Sequence, residues 1–203
     1  MEEIKIVKVG EKVPDFELDV YLPDRNDFGK VRLSDIFKTG SWLILFFYPA
    51  DYTFICPTEL ADIGEKYAEL KKEAVELVSI STDTHYVHYA WQKSEKLLAD
   101  IEYPMGADST HIISKTFGVY DEESGLALRG TFIIDPDGKL VGSEVNHFNV
   151  GRNSDELLRK LKAFKFVRKN PTKVCPAKWE PGKKTLTPGK DLVGRVGDEI
   201  GDG

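Results

Sequence analysis

Two cysteines are the residues whose type and spacing most directly suggest chemistry. Cys56 and Cys175 stand far apart in a chain of 203 residues, and the sequence holds no third cysteine. So sparse a pair does not form the dense disulfide framework that stabilises small secreted domains. In a reducing compartment such cysteines are either inert or take part in redox chemistry, and the surroundings of each thiol decide between the two.

Cys56 is predicted to lie at the start of a helix. It directly precedes Pro57, a residue well suited to the first helical position. The unpaired N–H groups and the macrodipole of a helix N-terminus favour an anion, which here would be the thiolate. Thr53 adds a hydroxyl within reach of a substrate at the thiol. A buried structural cysteine and a plain turn threonine are the alternatives, and position alone does not exclude them.

The elements around Cys56 predict a βαβ unit. Residues 41–48 form a continuous apolar run, typical of a strand buried on both faces, and residues 75–80 form a second apolar strand. Between them a helical pattern places four apolar residues on one face, namely Leu60, Ile63, Tyr67 and Leu70. The two strands should therefore be parallel, with Cys56 where open α/β sheets place their ligand sites.

Further elements are predicted on both sides of this unit. Before it we expect a strand at 16–20, turns at 23–24 and 27–29, and a helical turn at 35–37 that Ser34 caps. After it we expect a helix capped by Asp83 with an inner face formed by Val87, Trp91, Ser94 and Leu98. A loop at 101–105, a short helix at 109–117, a hairpin around Asp135-Pro136-Asp137-Gly138 and a helix opened by an Asn153–Glu156 capping box should follow.

These elements predict an α/β fold with a central mixed sheet and helices on both faces. We expect one domain over residues 1–167 and an extended tail over 168–203. Residues 168–190 hold seven Lys or Arg, one Glu and four of the ten prolines, which is typical of a segment that lies along another surface.

Composition excludes several classes of function. The net charge of −6 disfavours nucleic acid as a partner. The longest apolar run is too short to cross a bilayer, and Met1-Glu2-Glu3 lacks the order of a secretory signal, so a soluble cytoplasmic protein is expected. His85 and His88 are three residues apart but lack a third ligand nearby, so solvated or capping roles are expected, as for His111 and His147. With no Gly-rich phosphate loop either, we expect neither a metal nor an organic cofactor.

One long motif carries a family resemblance. It runs through Phe46-Phe47-Tyr48-Pro49, the spacing Pro-x-x-x-Thr-x-x-Cys that ends at Cys56, and Pro57-Thr58-Glu59. Supporting matches follow in order at Thr82-Asp83-Thr84-His85, Ala90-Trp91, Arg129 before Thr-Phe-Ile-Ile-Asp, and Val174-Cys175-Pro176-Ala177-x-Trp179. The chain resembles the peroxiredoxins from Val9 to Val196. Within them it is most similar to the typical two-cysteine branch, particularly the bacterial alkyl hydroperoxide reductase C component.

The resemblance implies a thioredoxin-like three-layer fold and a thiol peroxidase that acts on hydrogen peroxide and small organic hydroperoxides. Cys56 matches the peroxidatic cysteine, whose thiolate breaks the O–O bond and becomes a sulfenic acid. Thr53 matches the hydroxyl that binds the peroxide, Pro49 the ring that shields the sulfur, and Arg129 the guanidinium beside it. Glu59 and Arg152 match the pair that positions Arg129, with an exposed helical Glu as the alternative for Glu59.

Cys175 matches the resolving cysteine, which implies a disulfide to Cys56 of a partner subunit and an obligate dimer. Decamers (pentamers of dimers) and a dithiol reductant, either thioredoxin or a flavoprotein disulfide reductase, are also implied. The Gly-Gly-Leu-Gly loop and C-terminal Tyr-Phe helix of members sensitive to overoxidation are missing, so resistance to peroxide inactivation is expected. A general disulfide oxidoreductase is disfavoured because Cys56 has no Cys-x-x-Cys partner. A ring-forming holdase chaperone stays open as an added activity.

Overall fold

The structure, a computed structural model, describes residues 4–200. The expectation drawn from Met1-Glu2-Glu3 lies outside the described residues. The chain divides into two compact units, the first ending at Asn153 and the second beginning at Ser154. The predicted division into a domain of residues 1–167 and a tail of residues 168–203 rests on a change in amino-acid composition, and it stays a prediction.

A mixed sheet of seven strands forms the centre of the first unit, in the order β2-β1-β5-β4-β3-β8-β9. Its strands are β1 (Glu17–Leu22), β2 (Asp27–Arg32), β3 (Trp42–Phe47), β4 (Val75–Ser81), β5 (Met105–Ala107), β8 (Arg129–Ile134) and β9 (Leu140–Asn146). The pairs β3–β4 and β4–β5 are parallel, and the other neighbours are antiparallel. The predicted mixed sheet and the predicted parallel pair are therefore confirmed.

Strand β3 is buried along its whole length, as its apolar run predicts. Leu43, Leu45 and Phe47 belong to one core cluster, together with Leu33 and Ile113. Because successive side chains of a strand point to opposite faces, Ile44 and Phe46 face the other side of the sheet. Both faces of the sheet are therefore covered at β3. The loop that follows this strand begins from a fully packed part of the core.

The helices of the first unit are α1 (Leu33–Lys38), α2 (Cys56–Glu65), α3 (Tyr67–Lys72), α4 (His85–Ser94) and α5 (Ile112–Thr116). Between α4 and β5 lies a 3-10 turn at Lys96–Leu98. The predicted helix after Cys56 is interrupted at Lys66, which gives the separate helices α2 and α3. Its predicted apolar face is nonetheless buried throughout, from Leu60 to Leu70.

Two predicted irregular segments are strands in the structure. Residues 27–29, predicted as a turn, begin β2. The turn predicted at residues 23–24 is confirmed and extends to residue 26. A Cβ on Gly29 would come 2.8 Å from Leu22, so this glycine allows a close approach between strands. Met105, predicted to end a loop, begins β5. A Cβ on Gly106 would come 3.2 Å from the carbonyl oxygen of Ser79, which explains a glycine in this inner strand.

Two predicted helix caps are wrong. Ser34 lies inside α1, and its backbone N–H donates to Asp15 at 2.9 Å. Helix α4 is capped by Thr84, whose hydroxyl accepts from the N–H of Val87, while Asp83 accepts from the N–H of Asp51 at 2.9 Å. The buried side of α4 is formed by His88, Trp91 and Gln92, so of the predicted inner face within this helix only Trp91 is buried.

The predicted hairpin around Gly138 is confirmed, since β8 and β9 pair antiparallel and Gly138 has a φ of 76°. A second, short hairpin joins β6 (Tyr120–Asp121) to β7 (Leu126–Ala127), a segment for which no strand is predicted.

The second unit contains α6 (Ser154–Lys169), a 3-10 turn at Lys190–Leu192 and α7 (Val196–Ile200). The predicted capping box at its start stays a prediction, and Glu156 binds Arg159. The tail is not extended throughout, because Val174 and Leu186 pair through two backbone hydrogen bonds and close the chain between them into a loop.

Candidate active site

Cys56 is the first residue of α2 and is fully buried. Pro57 follows it in the first turn, where its missing N–H costs no helical hydrogen bond. Leu60, four residues on, is also fully buried, so Cys56 lies on the inward side of the helix. The predicted position of this thiol at a helix N-terminus is confirmed, and its immediate surroundings are protein rather than bulk water.

A buried guanidinium contacts the sulfur. Arg129, the first residue of β8, donates from Nη1 to Cys56 Sγ at 3.3 Å. The same Nη1 lies 2.5 Å from Glu59 Oε2, and Nε donates to the carbonyl oxygen of Phe148 at 2.8 Å. These contacts fix the plane of the guanidinium, because an arginine presents its donors in a rigid fork. The guanidinium is therefore already held beside the sulfur, and placing it there costs no further side-chain entropy when a substrate binds.

Glu59 joins two arginines. Its carboxylate accepts from Arg129 and also from the backbone N–H and Nε of Arg152, each at 2.8 Å. The side chain of Glu59 is 1% exposed, so the alternative of an exposed helical glutamate is excluded. Arg152 in turn donates to the carbonyl oxygen of Gly130 at 2.9 Å, and its guanidinium lies 3.5 Å from the centroid of the Phe46 ring. Burial lowers the pKa of Arg152, and its bonds to Glu59 oppose that shift.

The charges of this cluster balance only in one state of the thiol. Arg129 and Arg152 supply two positive charges and Glu59 supplies one negative charge, all in side chains that are 4% exposed or less. A thiolate at Cys56 makes the sum zero, whereas a thiol leaves one buried positive charge without compensation. Since an uncompensated buried charge is costly, the arrangement stabilises the anionic, nucleophilic form of the sulfur.

A cavity of about 200 Å³ lies beside Cys56 and Arg129, which belong to its wall. Pro49 and Thr53, both predicted from the sequence, line it. The remaining wall residues were not predicted, and they are Phe54, Ile55, Leu126, Phe148 and Asn149. The Thr53 hydroxyl donates to the carbonyl oxygen of Ala50 at 2.8 Å, so the turn role that the sequence left open is present. Its oxygen still has lone pairs with which to accept a hydrogen bond from a bound ligand.

A buried polar network holds the loop that carries Pro49 and Thr53. Asp51 accepts from the Tyr48 hydroxyl at 2.7 Å and lies 2.8 Å from Nδ1 of His88, whose Nε2 lies 3.0 Å from the carbonyl oxygen of Gly106. Because Nε2 must donate to that carbonyl, a further proton has to lie between Nδ1 and the carboxylate. Burial raises the pKa of Asp51, and the hydrogen bond from His88 opposes that shift.

The expected solvated or capping role of His88 is therefore wrong, because its side chain is fully enclosed and ties α4 to the loop. Its position one turn before Trp91 on the buried face is the signal that would have found it. Among the other histidines, His85 meets the Phe28 ring edge to face, the half-buried His111 stacks on Tyr120, and His147 is exposed. Within residues 4–200, no group of three His, Cys, Asp or Glu side chains is arranged to hold a metal ion.

Cys175 lies in the second unit, at the rim of the loop between Val174 and Leu186, and is half-buried. Burial raises the pKa of its thiol, and the positive charge of Arg159 opposes that shift. Within the first unit, the structure brings together the predicted site residues, namely Cys56, Thr53, Arg129, Pro49, Glu59 and Arg152. The described part of the chain has no helix long and apolar enough to span a bilayer.

The chain is similar to known proteins over most of its length. Residues 9–143 match the AhpC/TSA family, and residues 163–196 match the C-terminal domain of 1-Cys peroxiredoxin. Alkyl hydroperoxide reductase C of Staphylococcus aureus is 47% identical over 188 residues, which cover 93% of this chain and 98% of the relative.

The chain is also similar to solved structures of proteins named as AhpC and 2-Cys peroxiredoxin. The crystal structure of Enterococcus faecalis AhpC has a TM-score of 0.78 at 45% identity, covering 83% of this chain and 98% of its own. That of the reduced Plasmodium vivax 2-Cys peroxiredoxin has a TM-score of 0.85 at 33% identity, covering 91% and 95%. The predicted thioredoxin-like fold is confirmed. The chain belongs to the AhpC/TSA family of peroxiredoxins, enzymes that use a thiol to reduce peroxides.

Proposed function

We propose that Cys56 is the peroxidatic cysteine of this enzyme and that Cys175 of a partner subunit resolves it. The observation that carries the proposal is the 3.3 Å contact between Arg129 Nη1 and Cys56 Sγ beside a cavity. Hydrogen peroxide and small organic hydroperoxides are the proposed substrates. The apolar walls from Phe54, Leu126 and Phe148 suit an alkyl substituent, and the relatives named as alkyl hydroperoxide reductases support the same class.

In the first step the Cys56 thiolate attacks one oxygen of the peroxide in line with the O–O bond. An S–O bond forms and the O–O bond breaks, so the sulfur is oxidised to a sulfenic acid and the leaving oxygen departs as an alcohol or water after protonation. Arg129 stabilises the negative charge as it moves from sulfur to the leaving oxygen, because its donors are already oriented by Glu59 and Phe148.

Thr53 and Pro49 complete the proposed site. The Thr53 hydroxyl oxygen accepts a hydrogen bond from the O–H of the peroxide while it donates to Ala50, which fixes the orientation of the substrate. The ring of Pro49 lies in the cavity wall and keeps water from the sulfur. Glu59 and Arg152 act as positioning residues for Arg129.

In the second step a Cys175 thiolate of the partner attacks the sulfenic sulfur. An S–S bond forms, the S–O bond breaks, and hydroxide leaves and is protonated. Because Cys56 is fully buried, the first turn of α2 must unwind to expose it. A dithiol protein, either thioredoxin or a flavoprotein disulfide reductase, then reduces the intermolecular disulfide.

Assembly beyond the dimer is also proposed, as a decamer of five dimers. Support comes from exposed aromatic side chains on β2 and α4 that contact one another, among them Phe28 at 41% and Tyr86 at 63%, with ring centroids 5.1 Å apart. An exposed apolar set of this kind marks a protein contact. We further propose a cytoplasmic location, since sparse cysteines of this kind suit a reducing compartment in which a dithiol reductant is regenerated.

Peroxide consumption by Cys56→Ser and Cys175→Ser variants tests these roles. Cys56→Ser should consume no peroxide above background, and Cys175→Ser should consume one equivalent and then fail to turn over with a dithiol reductant. A non-reducing gel of the oxidised wild-type chain should show a covalent dimer. Near wild-type turnover in Cys56→Ser, or a band of monomer alone on the gel, would contradict the assignment.

A further inference from the structure

The segment that carries Cys175 is a closed loop with its own anchor. Val174 and Leu186 exchange two backbone hydrogen bonds of 2.9 and 3.0 Å, which close the loop at its base. Trp179, at 3% exposure, packs inside the second unit with its ring 4.8 Å from that of Phe166 on α6, and its Nε1 donates to the carbonyl oxygen of Lys183 at 3.1 Å. The loop is therefore ordered by contacts within its own unit.

One charged side chain connects this loop to α6. Arg159 donates from Nη1 to the carbonyl oxygen of Trp179 at 3.0 Å. Its Nε and Nη2 donate to the two carboxylate oxygens of Glu156 at 2.9 and 3.0 Å, one helical turn earlier. A bidentate pair of this kind holds the guanidinium in a defined plane, so the third bond is directed at the loop rather than at solvent.

A short turn connects Cys175 to the backbone group that Arg159 binds. The N–H of Trp179 donates to the carbonyl oxygen of Pro176, so the residue next to Cys175 is joined by a tight turn to the residue that Arg159 holds. The positive charge of Arg159 opposes the effect of burial on the pKa of Cys175. Burial therefore favours the neutral thiol of Cys175, and the charge of Arg159 favours the thiolate.

We propose that Arg159 is a positioning residue for the resolving step, which orients the Cys175 loop and stabilises the Cys175 thiolate that attacks the sulfenic acid of the partner. The inference rests on the proposed function. The step is the one written above, in which an S–S bond replaces an S–O bond and hydroxide leaves. Arg159 takes no part in the first step, which occurs at the Cys56 site.

The test separates the two steps in the full-length protein. Reduced enzyme receives one equivalent of hydrogen peroxide, and peroxide loss and covalent dimer are followed separately by rapid quench across a range of pH. The variants are Arg159→Met, which removes the charge and the fork, and Arg159→Lys, which keeps only the charge. Lys169→Met is the matched control, because Lys169 is an exposed cation at the end of the same helix.

We expect Arg159→Met to lose peroxide at the wild-type rate and to form the disulfide about tenfold more slowly near neutral pH, as for a lost charge-assisted hydrogen bond. The half-maximal rate of disulfide formation should move to higher pH. Arg159→Lys should restore the pH profile and part of the rate, and Lys169→Met should match the wild type.

A purely structural role predicts a different pattern, in which Arg159→Met slows disulfide formation equally at every pH and Arg159→Lys does not restore the profile. That pattern would overturn the proposal, as would a wild-type rate in Arg159→Met or an equal defect in Lys169→Met. If the wild-type chain itself forms no disulfide between Cys56 and Cys175, the proposed function fails too, and this result is distinct from the others.

Discussion

Replacing Arg129 by methionine removes the cation that contacts Cys56 and keeps a long side chain in its place. Three hydrogen bonds are lost, to the Cys56 sulfur at 3.3 Å, to Glu59 at 2.5 Å and to the Phe148 carbonyl at 2.8 Å. Glu59 keeps its bonds to Arg152, so one cation remains against the carboxylate and the thiolate. The buried cluster then carries an excess negative charge whenever the sulfur is ionised.

The expected size of the effect follows from the bond to sulfur. A hydrogen bond to a charged group contributes about 1.5–3 kcal/mol, which corresponds to about a 10- to 150-fold loss in the second-order rate constant for peroxide. The loss should be at least this large, because Arg129 also faces the charge that develops on the leaving oxygen. The free energy of unfolding should fall by about 1–3 kcal/mol, since the buried Glu59 loses one partner.

Stopped-flow measurement of a single turnover with hydrogen peroxide gives this rate constant directly. Arg25→Met is the matched control, because Arg25 is an exposed arginine whose removal should leave the rate unchanged. Urea unfolding shows whether Arg129→Met is folded under the conditions of the assay. A folded Arg129→Met protein with a rate constant close to that of the wild type would refute the reasoning from the charge balance.

Three further results are expected. Thr53→Val should lower the rate constant for peroxide by about tenfold, since a neutral hydrogen bond and the bond to Ala50 are lost, and Thr53→Ser should retain it, as single-turnover kinetics would show. Burial raises the pKa of Asp51 above its ordinary value of 3.8, so the stability that its bound proton provides is complete below that value and is lost as pH rises through the raised one. Urea unfolding of Asp51→Asn across this range should lack that decline, and an unchanged pH profile would contradict it. Cys56 should resist overoxidation, so mass spectrometry that finds its sulfinic acid at a low excess of peroxide would refute the expectation of easy unwinding.

Much of the sheet was predictable because its signals are local. The apolar run of β3 and the Asp-Pro-Asp-Gly turn before β9 depend on neighbouring residues alone, and both predictions are confirmed. Strand β5 was not predictable, because three residues with a central glycine are too few to show the alternation of apolar and polar side chains that indicates a strand. Residues 105–107 form a strand because they pair with β1 and with β4, which contains Ser79, and both of these strands lie far away in the chain.

Some features of the site were likewise predictable from the sequence and others were not. The motif around Cys56 and the resemblance it carries led to Arg129, Glu59 and Arg152, and the structure brings these side chains together. The sequence does not predict the hydrogen bond from Arg129 to the Phe148 carbonyl, because every residue type has the same backbone acceptor. The sequence does not predict the buried role of His88 for a different reason, since its partner Asp51 lies 37 residues away and the contact depends on the fold.

The central claim is that the sulfur of Cys56 is oxidised first. It is tested most directly in Cys175→Ser, treated with one equivalent of hydrogen peroxide in the presence of a sulfenic acid trap and then analysed by peptide mass spectrometry. We expect one adduct per chain, on Cys56, formed at the rate of peroxide loss. Loss of one equivalent of peroxide with Cys56 recovered as an unmodified thiol would contradict it.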